Sequence, residues 1–431
     1  MALLKLAVRN LRRNRRRTAI TLAAMVIGIT GMTALRGFIN GQRETMVENV
    51  VRGRIGALQV HHKGYVQNVL TSPLQLDMAD TPELRKKLAD TPHVIAVSPR
   101  IEFGAMVSTP DKQPPPEDGS MLPEADQGKT SFFIATAVEP ENEAKVTPRR
   151  TNLVKVGHMP ASPEAPELVL NADFALGLDA KLHEAGAPLP PIEQQLALLA
   201  GDRDGALNGE NVVLGGTFPS FSPGDKRVGL VPLVIAQRVL RMEGRVTEYG
   251  IAVDALSEVD GVKDALQAKL GPDYEVHTWS ELFPFIKSLN GTQDFIFSII
   301  SAVFLAVVLL GILNAMLMTV LERTREIGTM LAVGMRRRQI IRLFMLEGAV
   351  IGTAGVMLGL AVGLALVTWF NHHGIPLPAP GATVDSIVRP YVTSRFIAGI
   401  FAGTPLGAAL ATLWPAWRAS RLRPVEALAT A

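Results

Sequence analysis

The sequence predicts an α-helical membrane protein with four transmembrane helices and an α+β extracytoplasmic domain inserted between the first and second. Three observations carry this fold class. Apolar runs from about Thr18 to Leu35, Phe295 to Val320, Gly348 to Phe370 and Phe396 to Trp417 each supply the roughly 20 helical residues that a hydrocarbon core of about 30 Å requires. Basic residues sort around them. Lys5, Arg9, Arg12, Arg13, Arg15, Arg16 and Arg17 precede the first run, Arg323, Arg325, Arg336, Arg337, Arg338 and Arg342 separate the second from the third, and Arg418, Arg421 and Arg423 follow the fourth. The positive-inside rule puts all three clusters, and so both termini, in the cytoplasm. The stretch from about 40 to 290 then lies on the other face, is far longer than a loop, and has ordinary soluble composition.

In chain order the plan is a basic cytoplasmic segment 1–17, TM1 18–39, the extracytoplasmic domain 40–290, TM2 291–320 and a cytoplasmic loop 321–342. TM3 343–370, a short extracytoplasmic loop 371–394, TM4 395–417 and a cytoplasmic tail 418–431 complete it. Composition agrees: of 431 residues 48% are hydrophobic and only 19% charged, a balance that one soluble domain rarely shows. The net charge of +3 decides little. With no cysteine, a disulfide framework, a thiolate metal site and a thiol nucleophile are excluded. Leu3, Leu4, Leu6, Ala7 and Leu11 opposite the N-terminal arginines suit an amphipathic helix on the inner leaflet. A basic start before an apolar run also fits a cleaved signal peptide, but this run is long and no small-x-small cleavage site follows it, which favours a retained span.

Glycines 348, 352, 355, 359 and 363 along the third span, and 399, 403 and 407 along the fourth, recur at three- and four-residue spacing. Gly352, Gly355, Gly359, Gly363, Gly399, Gly403 and Gly407 are therefore read as packing positions, where helices approach backbone to backbone. The first and second spans lead into the large domain, so their bulky residues Met25, Ile29, Phe38, Phe295, Phe297 and Phe304 are candidates for a substrate path. Lipid-facing side chains are the default alternative. No run of acids or histidines lies inside a span, which disfavours a proton relay. Glu347, at the mouth of the third span, is expected to pair with Arg338 or Arg342.

In the large domain, Gly41 to Val51 continues the first span as a helical stalk. Strands are expected at Ala57 to Val60, Val94 to Val97, Ile101 to Val107, Phe132 to Val138, Leu168 to Leu170, Val212 to Leu214 and Ile251 to Val253. Helices are expected at Pro82 to Asp90, capped by Thr81, and at Ala172 to His183, Leu233 to Met242 and Glu258 to Leu270. The mixture makes an α+β domain. Thr109 to Gly128, with Pro114, Pro115 and Pro116, and Glu184 to Gly209 read as surface loops. Adjacent His61 and His62 would point to opposite faces of a strand and make a poor metal pair. His372 and His373 are likewise read as structural or solvated. Neither HExxH nor a serine in a nucleophile-elbow context is present, so an enzyme, a metal site and a nucleic-acid binder are all disfavoured.

Ile327, Met330 and Leu331 fall at i, i+3 and i+4, giving one apolar face to a helix that begins near Glu322. Gly334 is placed to end it, and a new helix restarts near Met335 or Arg336. Such a helix suits docking into a groove on another protein; equally, it suits an interfacial connector between spans.

At these residues the chain resembles the FtsX-like ABC transporter permease family, which includes MacB-type and LolC/LolE-type members. The resemblance rests on Glu322-Arg323-Thr324-Arg325-Glu326-Ile327-Gly328, Ala332-Val333-Gly334, Arg337-Arg338-Gln339-Ile340 and Glu347-Gly348. In the tail it rests on Trp414-Pro415-Ala416, Ala419 and Arg423-Pro424-Val425-Glu426-Ala427-Leu428. It implies that 322–333 is a coupling helix seated on a separate ABC-type ATPase subunit through Glu322, Arg323, Arg325, Glu326, Ile327, Met330 and Leu331. No GxxxxGK[ST] string occurs in the chain. ATP and Mg are therefore expected on the partner ATPase, with no cofactor bound by this chain, a non-catalytic membrane subunit. A second permease, identical or paralogous, is implied as partner, in a bacterial inner membrane with the large domain in the periplasm. Domain size and Val276-His277-Thr278-Trp279-Ser280-Glu281-Leu282 look most like lipoprotein-releasing permeases, which implies lipoproteins, membrane lipids and a periplasmic carrier as further partners. MacB-like efflux, or FtsX-like signalling to cell-wall hydrolases, is the alternative. The macrolide-exporter branch carries its ATPase ahead of the first span, where only about 17 residues stand in this sequence.

Overall fold

A computed structural model describes residues 6–7, 9–10, 15–69, 74–113, 122–124, 126–154, 156–220, 226–378 and 385–421. Lys5, Arg12, Arg13, the leucines at 3, 4 and 11, Pro114 to Pro116 and the closing Arg423 to Leu428 pattern lie outside them, as does the side chain of Arg17. The chain divides into two compact units. One comprises Met1–Thr45, Ser288–Pro376 and Ile387–Ala431; the other comprises Met46–Lys287 and Leu377–Ser386. Part of the expected loop 371–394 thus belongs with the inserted domain.

Among the described residues, four helices, lying wholly or largely in the helical unit, are long and apolar enough to cross a membrane. The first is Arg15–Val50, the second Pro284–Glu322, the third Arg337–His373, and the fourth Ser394–Ala411 followed by Leu413–Ser420. The first continues as one helix through the expected stalk to Val50, and the second begins at Pro284, ahead of the apolar run expected from Phe295. The fourth is interrupted at Thr412. Pro415 sits in the first turn of the segment that follows, where its missing N–H costs no intrahelical bond.

Glycines of the third helix meet two different neighbours. A Cβ on Gly348 would come 2.5 Å from Thr412 and one on Gly352 2.8 Å from Ala408, both on the fourth helix. On the first helix, a Cβ at Gly355 would approach Met25 at 2.8 Å, at Gly359 Ile29 at 2.7 Å, and at Gly363 Thr33 at 2.8 Å. The fourth-helix row behaves otherwise: Cβ atoms built on Gly399 and Gly403 meet nothing within 4 Å, and one on Gly407 touches only Leu309, at 3.4 Å. Gly399 and Gly403 instead line a cleft of about 240 Å³ among the first, second and fourth helices, with Gly28, Ile29, Met32 and Phe304.

The inserted unit is built on strands β1 (Leu58–His62), β2 (Met78–Ala79), β3 (Val94–Ser108), β4 (Thr130–Val138), β5 (Val156–Gly157), β6 (Glu167–Asn171) and β7 (Leu196–Gly201). β8 (Leu207–Phe218), β9 (Val228–Pro232), β10 (Arg245–Val246), β11 (Glu248–Val253) and β12 (Tyr274–Thr278) complete them. β3 pairs β4, β4 pairs β9, β9 pairs β6, β6 pairs β8, β8 pairs β7, and β7 returns to β3, closing a ring of six strands. The other end of β3 joins β11, which continues through β1 to β12. The larger apolar core of this unit runs from Phe133, Leu170 and Leu198 in the ring to Val60, Tyr249 and Val276 beside it, and Val138, Val169, Phe218, Val228 and Leu230 form a second, smaller one.

Thr81 caps Pro82–Ala89 as its position predicts, its hydroxyl accepting from Leu84 N–H at 3.2 Å. Three expectations change. Val94 to Val97 and Ile101 to Val107 are one strand that passes through Pro99. The helix from Ala172 ends at Gly177, just before Asp179 takes a left-handed φ of 55°. Within the expected loop 184–209 lies β7, whose Leu and Ala residues bury at alternate positions against β3 and β8.

Candidate coupling site

Between the second and third helices lies the short helix Thr324–Ala332. It does not begin at Glu322. The second helix ends there, and Arg323, at φ −106° and ψ 18°, breaks the α-helical path. At the other end Gly334 has φ +97°, a left-handed conformation that suits glycine, and the third helix starts at Arg337 after a capping box from Arg336 to Gln339.

Burial divides the candidate residues into two sets. Ile327 is fully buried among Met316, Val320, Ile340, Phe344, Ala416 and Ala419, while Met330 and Leu331 pack partly against the same cluster. The apolar face read as a docking surface therefore holds the helix to its own chain. Arg323 is buried too, its Nε donating to Glu326 Oε2 at 2.9 Å and its Nη1 to Glu347 Oε1 at 3.4 Å. Outward-facing residues are Glu322, Arg325, Thr329, Ala332 and Val333, the last 84% exposed. Chemically this is a small surface with a carboxylate, a guanidinium, a hydroxyl and an apolar tip.

Glu347 is 1% exposed and its partners are Arg323 and Asn10, whose amide donates to Oε1 at 2.6 Å. Arg338 and Arg342, the partners expected from the sequence, are exposed. Counting around the third helix had the signal to exclude them: five and nine residues place them about 140° and 180° from Glu347. A cleft of about 620 Å³ beside this network is lined by Leu6, Arg9, Asn10, Thr329, Met330 and Leu343.

Of the substrate-path candidates, Ile29 and Phe304 meet at the 240 Å³ cleft, whereas Met25 is buried against Gly355. Phe297 is buried beside Phe396, with the Arg36 guanidinium 5.0 Å from its ring centre. Arg36 and Arg43 of the first helix both reach Asp294 of the second, at 2.8 and 3.0 Å. Phe295 is 65% exposed and Phe38 half-exposed.

In the inserted unit, His61 is buried and stacked on Tyr65. Burial, with the charge of His277 adding to it, pushes its pKa down to about 3. Among the described residues no group of three or more His, Cys, Asp or Glu is placed to hold a metal ion.

Four long apolar helices, a short jointed helix between the second and third, and a large domain inserted after the first define a polytopic membrane protein class. Residues 298–424 match the family model described as FtsX-like permease C-terminal, in agreement with the resemblance read from the sequence. The macrolide export ATP-binding/permease protein MacB of Hyphomonas neptunium is 26% identical over 99% of this chain and 60% of its own length. MacB of Azoarcus sp. is 25% identical over 98% of this chain and 58% of its own length. The chain thus spans about three-fifths of the length of these two relatives. The periplasmic region of MacB from Actinobacillus actinomycetemcomitans aligns at 10% identity and a TM-score of 0.33, over 53% of this chain and 92% of that one.

Proposed function

We propose that this chain is the permease subunit of an ABC transporter that turns ATP hydrolysis on a separate ATPase subunit into mechanical motion of the inserted domain. The carrying observation is the short helix Thr324–Ala332, jointed at Arg323 and Gly334 and presenting Arg325, Thr329 and Val333 outward. On this reading the short helix and both termini are cytoplasmic, in a bacterial inner membrane, and the inserted domain is periplasmic. The ATPase holds ATP and Mg and grips the exposed residues; this chain has no catalytic role. When two ATPase subunits close, the short helices of two permeases, identical or paralogous, move with them and drive the second helices.

The cargo is a lipoprotein handed to a periplasmic carrier. Lifting acyl chains from a bilayer costs about 0.8 kcal/mol for each CH₂, which explains the need for an ATPase. An apolar cleft that includes Ile29 and Phe304 supports a lipid-modified substrate. MacB-like export is the second reading, favoured by the macrolide export relatives that align with the whole chain.

Charge reversal at Arg325 together with Val333→Asp abolishes co-purification of the ATPase while membrane insertion is retained. Undiminished capture would sink the docking assignment. Photocrosslinkers at Phe38 and Phe295 trap lipid-modified protein if lipoproteins are the cargo; trapping only unmodified substrate selects the export reading.

A further inference from the structure

A helix joined to its neighbours by two non-helical backbone segments can pivot unless side chains fix it. The Thr324–Ala332 helix has such segments at Arg323 and at Gly334. Its apolar anchor, Ile327, is buried in the surrounding core, but apolar contact is non-directional and permits rolling. A charge-assisted hydrogen bond has direction. Arg323 supplies it: its guanidinium lies within 3.4 Å of Glu347 on the third helix and within 2.9 Å of Glu326 on the short helix itself. Asn10 donates to the same Glu347 oxygen. Three separate parts of the chain therefore meet at one buried carboxylate: the N-terminal segment, the joint before the short helix, and the third helix.

We propose that Glu347 is a positioning residue that latches the short helix to the third helix and the N-terminal segment, so that displacement of the short helix is delivered to both. This rests on the transmission reading above. Without the latch, the short helix pulls its two neighbours only through the backbone joints at Arg323 and Gly334, and its motion no longer reaches the N-terminal segment. The short helix then pivots on Ile327. Docking of the ATPase depends on the exposed face and is untouched.

The full chain contains no cysteine, so spin labels can be placed on Thr329→Cys and Arg338→Cys with no background. In lipid nanodiscs, Glu347→Gln keeps the side-chain volume and a hydrogen-bonding oxygen but removes the charge. The expected result is a broader label–label distance distribution in the chain alone. With the ATPase bound to chains that keep Thr329 and carry no label, capture and the KM for ATP stay as in the parent, while the permease-stimulated kcat of ATP hydrolysis falls roughly 2- to 30-fold, the range of single-residue effects on coupling. Exchanging the pair, Arg323→Glu with Glu347→Arg, restores part of both readouts. If Glu347→Gln folds poorly, Arg323→Gln serves in its place. A parent-like distance distribution and kcat in these variants overturns the latch. Failure of the parent chain to capture any ATPase overturns the transmission reading alone, because the distance distributions in the isolated chain still decide the latch.

Discussion

Each unit of the molecule buries an arginine between glutamates, and the two sites differ in what holds the partners. In the inserted unit Arg100 on β3 makes a two-pronged pair with Glu143 at 2.8 Å on each prong, donates to Ile55 C=O at 2.9 Å and lies 3.6 Å from Glu248 on β11. β3 and β11 are in fixed register, Arg100 directly opposite Glu248, and Gly250 leaves room for the guanidinium, since a Cβ there would come within 2.6 Å of it. Burial works against the charged form of Glu143, but Arg100 and the Thr147 hydroxyl outweigh it and hold the carboxyl below its ordinary range. In the helical unit Arg323 sits on a backbone joint, and its partner Glu347 belongs to another helix. Strand register fixes Arg100 against Glu248, and the helix Pro140–Val146 holds Glu143 against the same guanidinium. The second pair is held by the side chains themselves, and such a pair can change state without unravelling secondary structure.

The largest effect is expected at the locked pair. Arg100→Ala leaves Glu143 and Glu248 buried without the guanidinium that pairs them, a loss of about 3–5 kcal/mol, read as a lower thermal midpoint and rapid proteolysis within residues 46–287. Arg323→Ala costs less, about 1–3 kcal/mol; equal losses at the two sites would erase the distinction between locked and movable pairs.

The scaffold behind Glu347 is the next target. Gly359→Leu forces a side chain into Ile29 and destabilises by about 1–3 kcal/mol, whereas Gly403→Leu enters open space and leaves the thermal midpoint of the full chain in detergent unchanged. A smaller effect depends on pH. His61 is held down to about 3 against an ordinary 6.5, so between these values the unfolded chain takes a proton that the native state refuses. Stability falls with falling pH there, by up to about 1.4 kcal/mol per unit. Glu248, pushed up to about 7 by burial and then by Glu102, acts in the opposite sense, its contribution declining as pH rises from about 4.5 to 7. His61→Phe should flatten the acid limb of a stability profile; an unaltered limb would remove His61 as its cause. Smallest of all, Arg325→Glu shifts stability by less than about 0.5 kcal/mol, which keeps its effect on ATPase capture interpretable.

Much of this plan is legible in the sequence because lipid and sheet impose periodicity. β4 alternates Phe133 inward with exposed Phe132 and Ile134, and four apolar runs announce four helices. β7 is hidden because leucine and alanine favour helices, and its strand state comes from pairing with β3 and β8. Closure of the six-strand ring is equally hidden, since it depends on β7 returning to β3 across a long chain separation. At the coupling site, the i, i+3, i+4 pattern correctly marks an apolar face but cannot say whether its own chain or another protein covers it. Arg323 and Glu347 are 24 positions apart, and only the reversal of direction after Gly334 brings them together.

The divided glycine row on the third helix has a genetic consequence. Gly348 and Gly352 fit the fourth helix while Gly355, Gly359 and Gly363 fit the first, so the two faces are tied to each other by residue count as well as by residue type. Inserting one residue between Gly352 and Gly355 would turn one half of the row about 100° from the other, and no side-chain change elsewhere repairs that phase error. The helix therefore tolerates substitution more readily than any change in its length between those glycines.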